Sequence, residues 1–156
     1  MTRIHKIVIA TFFIISFSLN AQGQSKSDEK QVHQLIQNMF DGLFSGFESA
    51  KIPEFMTEDF ILLEDGMIWD NQIIKNYLDS QKAKPNIPTR VNRFEFIQTK
   101  ISGDRAWVAY KNWATVTSNG QVIREAHWLE SGTAIKTADG WKLEMLHSTP
   151  VEIEKL

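Results

Sequence analysis

Two repeat lengths organise the apolar residues of this chain. Between Val32 and Phe47 the residues Val32, Leu35, Ile36, Met39, Phe40, Leu43, Phe44 and Phe47 recur at three- and four-residue spacing, while Gln34, Asn38, Asp41, Ser45 and Glu48 fill the opposite side. That pattern predicts one amphipathic helix with a broad apolar stripe, capped by Ser27 or Asp28. Pro53 suits the first turn of a short second helix through Met56, and Phe60 to Glu64 reads as a strand turning at Asp65 and Gly66 into Met67 to Trp69. Asp70 can cap a third helix in which Ile73, Ile74, Tyr77 and Leu78 share a face, closed by Pro85 and Pro88. From Arg90 onward a period of two takes over. Four long strands in a meander are predicted, separated by Ser102-Gly103-Asp104, Asn119-Gly120 and Asp139-Gly140. Both Asn119 and Gly120 tolerate positive φ, so Thr115 to Ser118 should pair with Gln121 to Arg124.

This order of elements is an α+β plan: a cone-shaped, curved antiparallel sheet of about six strands covered by three amino-terminal helices. A sheet bent that strongly leaves a hollow on its concave side, and ligand sites favour hollows with apolar walls and a few convergent polar groups.

The first residues follow different rules. Arg3, His5 and Lys6 precede an apolar run from Ile7 to Leu19, followed by the small residues Ala21 and Gly23. This is a signal peptide's layout, and the run is shorter than the roughly 20 residues a permanent span needs. The expected organisation is a signal peptide over 1–23, a tether over 24–28 and a single domain over 29–156. The mature protein is then periplasmic or secreted, with no membrane association after cleavage.

Composition narrows the partners. The 156 residues carry a formal charge of -2 with both signs interspersed, which offers no footprint for nucleic acid. There is no cysteine, so neither disulfides nor thiol chemistry is available. No serine elbow or glycine-rich phosphate loop is present, and no cofactor is expected. His33, His127 and His147 are not spaced for chelation on one element, so no metal is expected either.

Candidate chemistry comes from strand parity, since alternate side chains share a face. In the last strand Trp141, Leu143, Met145, His147 and Thr149 form the more apolar set, which should face the helices and carry His147 into the hollow. An imidazole there can serve as general acid or base. Phe60, Leu62 and Glu64 share a face in the first strand, so Glu64 should point inward, where desolvation raises a carboxyl pKa. Tyr110 and Asn112 can supply a hydroxyl and an amide to a ligand, with His127 a further polar position and Phe40 and Met145 apolar wall residues. Trp107 and Trp113 share the face opposite Val108 and Tyr110.

Several strings together resemble the SnoaL-like branch of the nuclear transport factor 2 superfamily. They are the first helix, Met56-Thr57-Glu58-Asp59-Phe60 leading to Glu64-Asp65-Gly66, Gly103-Asp104-Arg105-Ala106-Trp107-Val108, and Asp139-Gly140-Trp141-Lys142-Leu143 followed by His147-Ser148. The resemblance covers about Glu29 to Thr149. It implies the cone fold, a homodimer through the convex sheet face, and a scaffold that serves isomerases, cyclases, dehydratases and inert binding modules alike. It also places Glu64 where related isomerases hold their proton-shuttling carboxylate. Those isomerases use a first-helix tyrosine that this chain lacks, so steroid isomerisation is not expected. Three functions follow as expectations. They are binding of a small, largely apolar molecule, a cofactor-independent isomerase, cyclase or lyase using Glu64 and His147, and an inert dimerisation or partner-binding module.

Overall fold

In the computed structural model, which describes residues 25–152, the apolar stripe of the first helix lies along the concave side of one strongly bent sheet. Helix α1 runs over 25–39 and widens into a π-helical turn at Phe40–Ser45. There the amide of Gly46 reaches back to Asp41 O at 2.9 Å and that of Glu48 to Gly42 O at 3.0 Å, with Phe47 at φ 51 closing the turn. Residues 25–28 are already helical rather than a tether, and Asp28 is not a cap. Its carboxylate is buried, taking Lys136 Nζ at 2.6 Å and Trp141 Nε1 at 3.3 Å, so it ties α1 to the sheet. The expected signal peptide lies outside the described residues.

After a 3-10 turn at Ser49–Lys51 come α2 (Ile52–Phe55), β1 (Met56–Glu64), β2 (Met67–Asp70) and α3 (Asn71–Lys82). Asp70 caps α3 as expected, accepting the Ile73 amide at 2.8 Å. The buried face of α3 is Ile74 and Leu78, while Ile73 stays exposed. The meander follows as β3 (Thr89–Ser102), β4 (Arg105–Ser118), β5 (Gln121–Thr137) and β6 (Gly140–Pro150).

The six strands order as β2-β1-β6-β5-β4-β3. The α+β cone is as expected, but the sheet is mixed rather than antiparallel throughout, because β6 closes it by lying parallel to β1. Besides a register shift between Met56 and Ile61 on β1, three single-residue bulges bend the meander strands and reset their parity. On β3 the pairing skips Ile97, on β5 it skips Ile123, and on β6 it skips Glu144. The Asn119-Gly120 hairpin forms at the expected residues, Ser118 facing Gln121 and Thr117 facing Val122. The bulge at Ile123 then makes Val116 face Arg124.

Val32, Ile36, Met39 and Leu43 of α1 are buried in one cluster with Val108, Tyr110, Leu143 and Leu146 of the sheet. Phe94, Phe96, Tyr110, Phe40 and Phe44 form a continuous set of ring contacts inside the cone, with centroids 5.3 to 6.2 Å apart. These rings fill most of the hollow that the sheet's curvature creates.

Candidate functional site

The space that the rings leave is a cavity of about 40 Å³ between the π-helical turn and the sheet. Phe40 and Phe44 form its helical wall, Leu62 and Leu146 its apolar floor, and Arg90, Trp128, Glu130, Ser148 and Glu64 the remainder. Inward parity delivers these side chains. Trp128 and Glu130 are two apart on β5, as Leu146 and Ser148 are on β6 and Leu62 and Glu64 on β1. The wide turn in α1 supplies the two phenyl rings. Such turns recur at functional sites because they re-aim side chains without ending a helix.

A continuous hydrogen-bond relay runs through the buried polar residues. Arg90 Nε donates to Asn92 Oδ1 at 3.0 Å, Asn92 Nδ2 to Asn112 Oδ1 at 2.7 Å, and Asn112 Nδ2 to Glu130 Oε2 at 3.3 Å. Ser148 Oγ donates to the other carboxyl oxygen, Oε1, at 3.2 Å. Burial pushes the Glu130 carboxyl up to about 7, against the opposing pull of Tyr110, Ser148 and Asn112, and the nearby Glu64 adds a smaller push upward. The same burial holds the Tyr110 phenol well above its ordinary value, helped by the charge of Glu130. The Tyr110 hydroxyl faces Glu130 but meets no partner in hydrogen-bonding geometry among the described residues.

Arg90 sits in an aromatic cage. Its guanidinium lies 5.7 Å from the Phe40 centroid, 6.0 Å from Phe44 and 5.3 Å from Trp128, and Arg124 approaches the same indole at 5.8 Å. Desolvation lowers the Arg90 pKa, opposed by Glu130, Tyr77 and Glu64. Among the described residues no carboxylate forms an ion pair with either arginine.

Of the residues anticipated from sequence, Glu64 and Phe40 line the cavity, and Tyr110 and Asn112 stand behind its wall next to Glu130. Glu64 is half-buried, and desolvation raises its pKa, with Asp65 adding to the shift and Arg90 and Arg124 opposing it. His147 does not line this cavity, although it shares an outer hollow of about 370 Å³ with Glu64 and Ser148 beside the β1–β2 turn. The bulge at Glu144 flips the parity of β6 after Leu143, so Leu146 and Ser148 turn inward and His147 is exposed on the outer face. Met145 is carried outward by the same flip, paired with Thr133. His127 also lies outside, stacked on Trp113 with centroids 4.7 Å apart. Arg90, Trp128, Glu130 and Ser148 were missed. Glu130 faces Tyr110 across β4 and β5 only because Ile123 is skipped; regular pairing from the hairpin would set Leu129 there.

A larger hollow of about 940 Å³ lies outside the cone, between α2, the start of β1 and the start of α3. Its charged lining, Glu58, Asp70, Lys75 and Lys142, sits at the solvent edge, and it holds no buried acid or base. The smaller cavity carries the chemistry. Among the described residues no cluster of three acidic or histidine side chains could hold a metal ion, and no helix is long and apolar enough to cross a membrane.

No protein-family model and no curated protein matches the sequence. Solved structures do match in shape. The chain is similar to the CamKII hub homology domain of Chlamydamonas reinhardtii, at 18% identity and TM-score 0.69 over 80% of this chain and 98% of that one. It is similar to a ketosteroid isomerase-like protein from Erwinia carotovora atroseptica, at 16% identity and TM-score 0.58 over 81% and 95%. An uncharacterized protein with a cystatin-like fold from Caulobacter vibrioides matches at 18% identity and TM-score 0.57 over 81% and 91%. At these identities the likeness concerns the fold, which is nuclear transport factor 2-like.

Proposed function

We propose that this chain, built on the nuclear transport factor 2-like fold, is an exported binding protein of the SnoaL-like kind. It holds one small molecule at the mouth of its cone, with a specific activity left unassigned. The observation that supports the reading is the relay from Arg90 to Glu130, whose two ends line the cavity while Asn92 and Asn112 join them behind its wall. Buried polar networks are costly unless fully satisfied, and a ligand can complete this one. The cavity departs from the expectation of a largely apolar guest: the ligand places a polar group inside and leaves its apolar part against Phe44 and Trp128. Native mass spectrometry of protein purified from its own source tests this. A retained small molecule, lost on replacing Trp128 with Ala, supports the reading, and bare protein under gentle desolvation counts against it. Export rests on the layout of residues 1–23, and amino-terminal sequencing of mature protein should begin at residue 22 or 24.

A second reading is favoured by the Glu130 carboxyl, which titrates at about 7 and can exchange a proton near neutrality. In a cofactor-independent isomerase, cyclase or lyase, Glu130 rather than His147 would work with Glu64. Replacing each with Gln should then abolish proton exchange on a bound carbonyl compound. Exchange persisting in both variants removes this reading and leaves binding.

A further inference from the structure

Arg90 has only one of its guanidinium nitrogens committed. Nε serves Asn92, while the two terminal nitrogens, which carry four N–H donors, have no acceptor among the described residues. Rings surround the group on three sides, and ring faces attract its charge without accepting its in-plane N–H groups. Glu130 lines the same cavity, yet no hydrogen bond or ion pair joins it to Arg90 among the described residues, its carboxyl being held by Ser148 and Asn112. Arg124, on the other approach to Trp128, also has no ion pair among the described residues. A half-buried planar fork with a vacant edge, opening on a cavity, matches a planar acceptor with two oxygens.

We infer that the ligand's polar end is a carboxylate seated on the terminal nitrogens of Arg90, and that its binding draws one proton onto Glu130. This rests on the binding reading above and deepens it. The cavity of about 40 Å³ admits little more than a carboxyl group and the first carbons behind it, since one water occupies about 30 Å³ in the liquid. The class is therefore a short or slender monocarboxylate whose chain leaves past Phe44.

Proton uptake follows from the charges in the site. Glu130 on β5 is faced by Tyr110 from β4, Glu64 from β1 and Arg90 from β3, with Arg124 further along its own strand and Tyr77 of α3 facing Arg90. From α1 only Phe40 and Phe44 line the cavity. An incoming carboxylate adds a negative charge beside an acid that burial already disfavours ionising, and it occupies the counter-charge of Arg90. Protonated Glu130 relieves both conflicts.

Propionate and its neutral isostere propionamide are the probes, titrated by calorimetry in buffers of differing ionisation enthalpy and by the Arg90 Nε–H resonance. Propionate should bind at least tenfold more tightly than propionamide and take up protons around pH 7. Its affinity should fall about tenfold per pH unit above that, as one linked proton requires. In Glu130→Gln the pH slope should vanish, and in Arg90→Gln propionate binding should be lost. Equal binding of the amide, or propionate binding without proton uptake, overturns the inference while the pocket reading survives. Failure of both probes, and of 1-propanol, to shift any cavity resonance overturns both. If Arg90→Gln fails to fold, the amide comparison and the Glu130→Gln slope still decide.

Discussion

Asn112 Nδ2 lies 3.3 Å from Glu130 Oε2, and both side chains are buried on adjacent central strands. The contact satisfies one carboxyl oxygen without charge, and Ser148 satisfies the other in the same way. Neither neighbour neutralises an ionised Glu130, so burial dominates and the acid stays largely protonated until about pH 7.

That has a consequence for stability. A carboxyl whose folded value is raised from 4.5 to about 7 binds its proton more tightly in the native state, a difference worth on the order of 3 kcal/mol. The contribution is complete below the unfolded value and is lost as pH rises through the folded one. Glu130→Gln keeps the shape and removes the titration. The variant's melting temperature, relative to the parent, should rise by roughly 5–10 °C between pH 5 and pH 8. A constant difference across that range would mean that Glu130 ionises freely in the folded protein.

Asp28 offers a second test, because one carboxylate serves two elements. It is buried at the start of α1 and receives Lys136 from β5 and Trp141 from β6. Asp28→Ala strands the indole N–H and leaves the ammonium unpaired. Removing one partner of a buried pair costs about 3–5 kcal/mol, and the one-third-exposed Lys136 side chain brings the expectation below that range, to about 2–3 kcal/mol. Chemical denaturation measures it. Asp28→Asn, which still accepts from Trp141, should recover part of the loss.

What could be read from the sequence divides along a physical line. The apolar stripe of α1, the Asp70 cap and the Asn119-Gly120 turn rest on local chemistry within a few residues and formed as expected, although α1 is already helical at residue 25 and gives way to a π-helical turn at Phe40–Ser45. The inward direction of Glu64 was also legible, since its strand is regular from Phe60 to the turn. His147 and Met145 failed because parity is a counting argument, and the bulge at Glu144 adds one to the count; nothing in Leu143-Glu144-Met145 marks a bulge. Glu130 was missed for the same reason, as its partnership with Tyr110 depends on the bulge at Ile123. Arg90 was invisible because its cage is assembled from α1 and β5, far apart in the chain.

The Asn119-Gly120 turn tests the local part. Asn119 has φ 51 and Gly120 φ 75, so both residues are left-handed, as a tight two-residue hairpin requires. A Cβ at Gly120 would touch nothing within 4 Å, which isolates the backbone cost from any clash. Gly120→Ala should therefore destabilise by about 1 kcal/mol, while Asn119→Gly should stay within about 0.5 kcal/mol of the parent. Equal costs at the two positions would show that the turn does not hold this conformation in solution.

The convex face makes the last prediction. Trp107 and Leu129 are 38% and 48% exposed there, beside a stack in which Arg93 lies 3.7 Å above the Trp113 ring and His127 packs on its other side. The ion pairs Lys111–Glu95 and Arg105–Glu144 flank these aromatics. An apolar centre with a charged rim is the anatomy of a protein interface, and a two-fold pairing presents each residue twice. We expect a homodimer that buries both copies of Trp107 and Leu129. Leu129→Glu would then place two carboxylates in one dry contact and weaken dimerisation by at least a hundredfold, about 3 kcal/mol. Since Leu129 is nearly half-exposed in a single copy, the same change should leave the monomer's melting temperature almost untouched. Sedimentation velocity separates the outcomes. A dimer that becomes a folded monomer supports this face as the interface, whereas parent protein that sediments as a monomer at micromolar concentration, or a variant that stays dimeric, removes it.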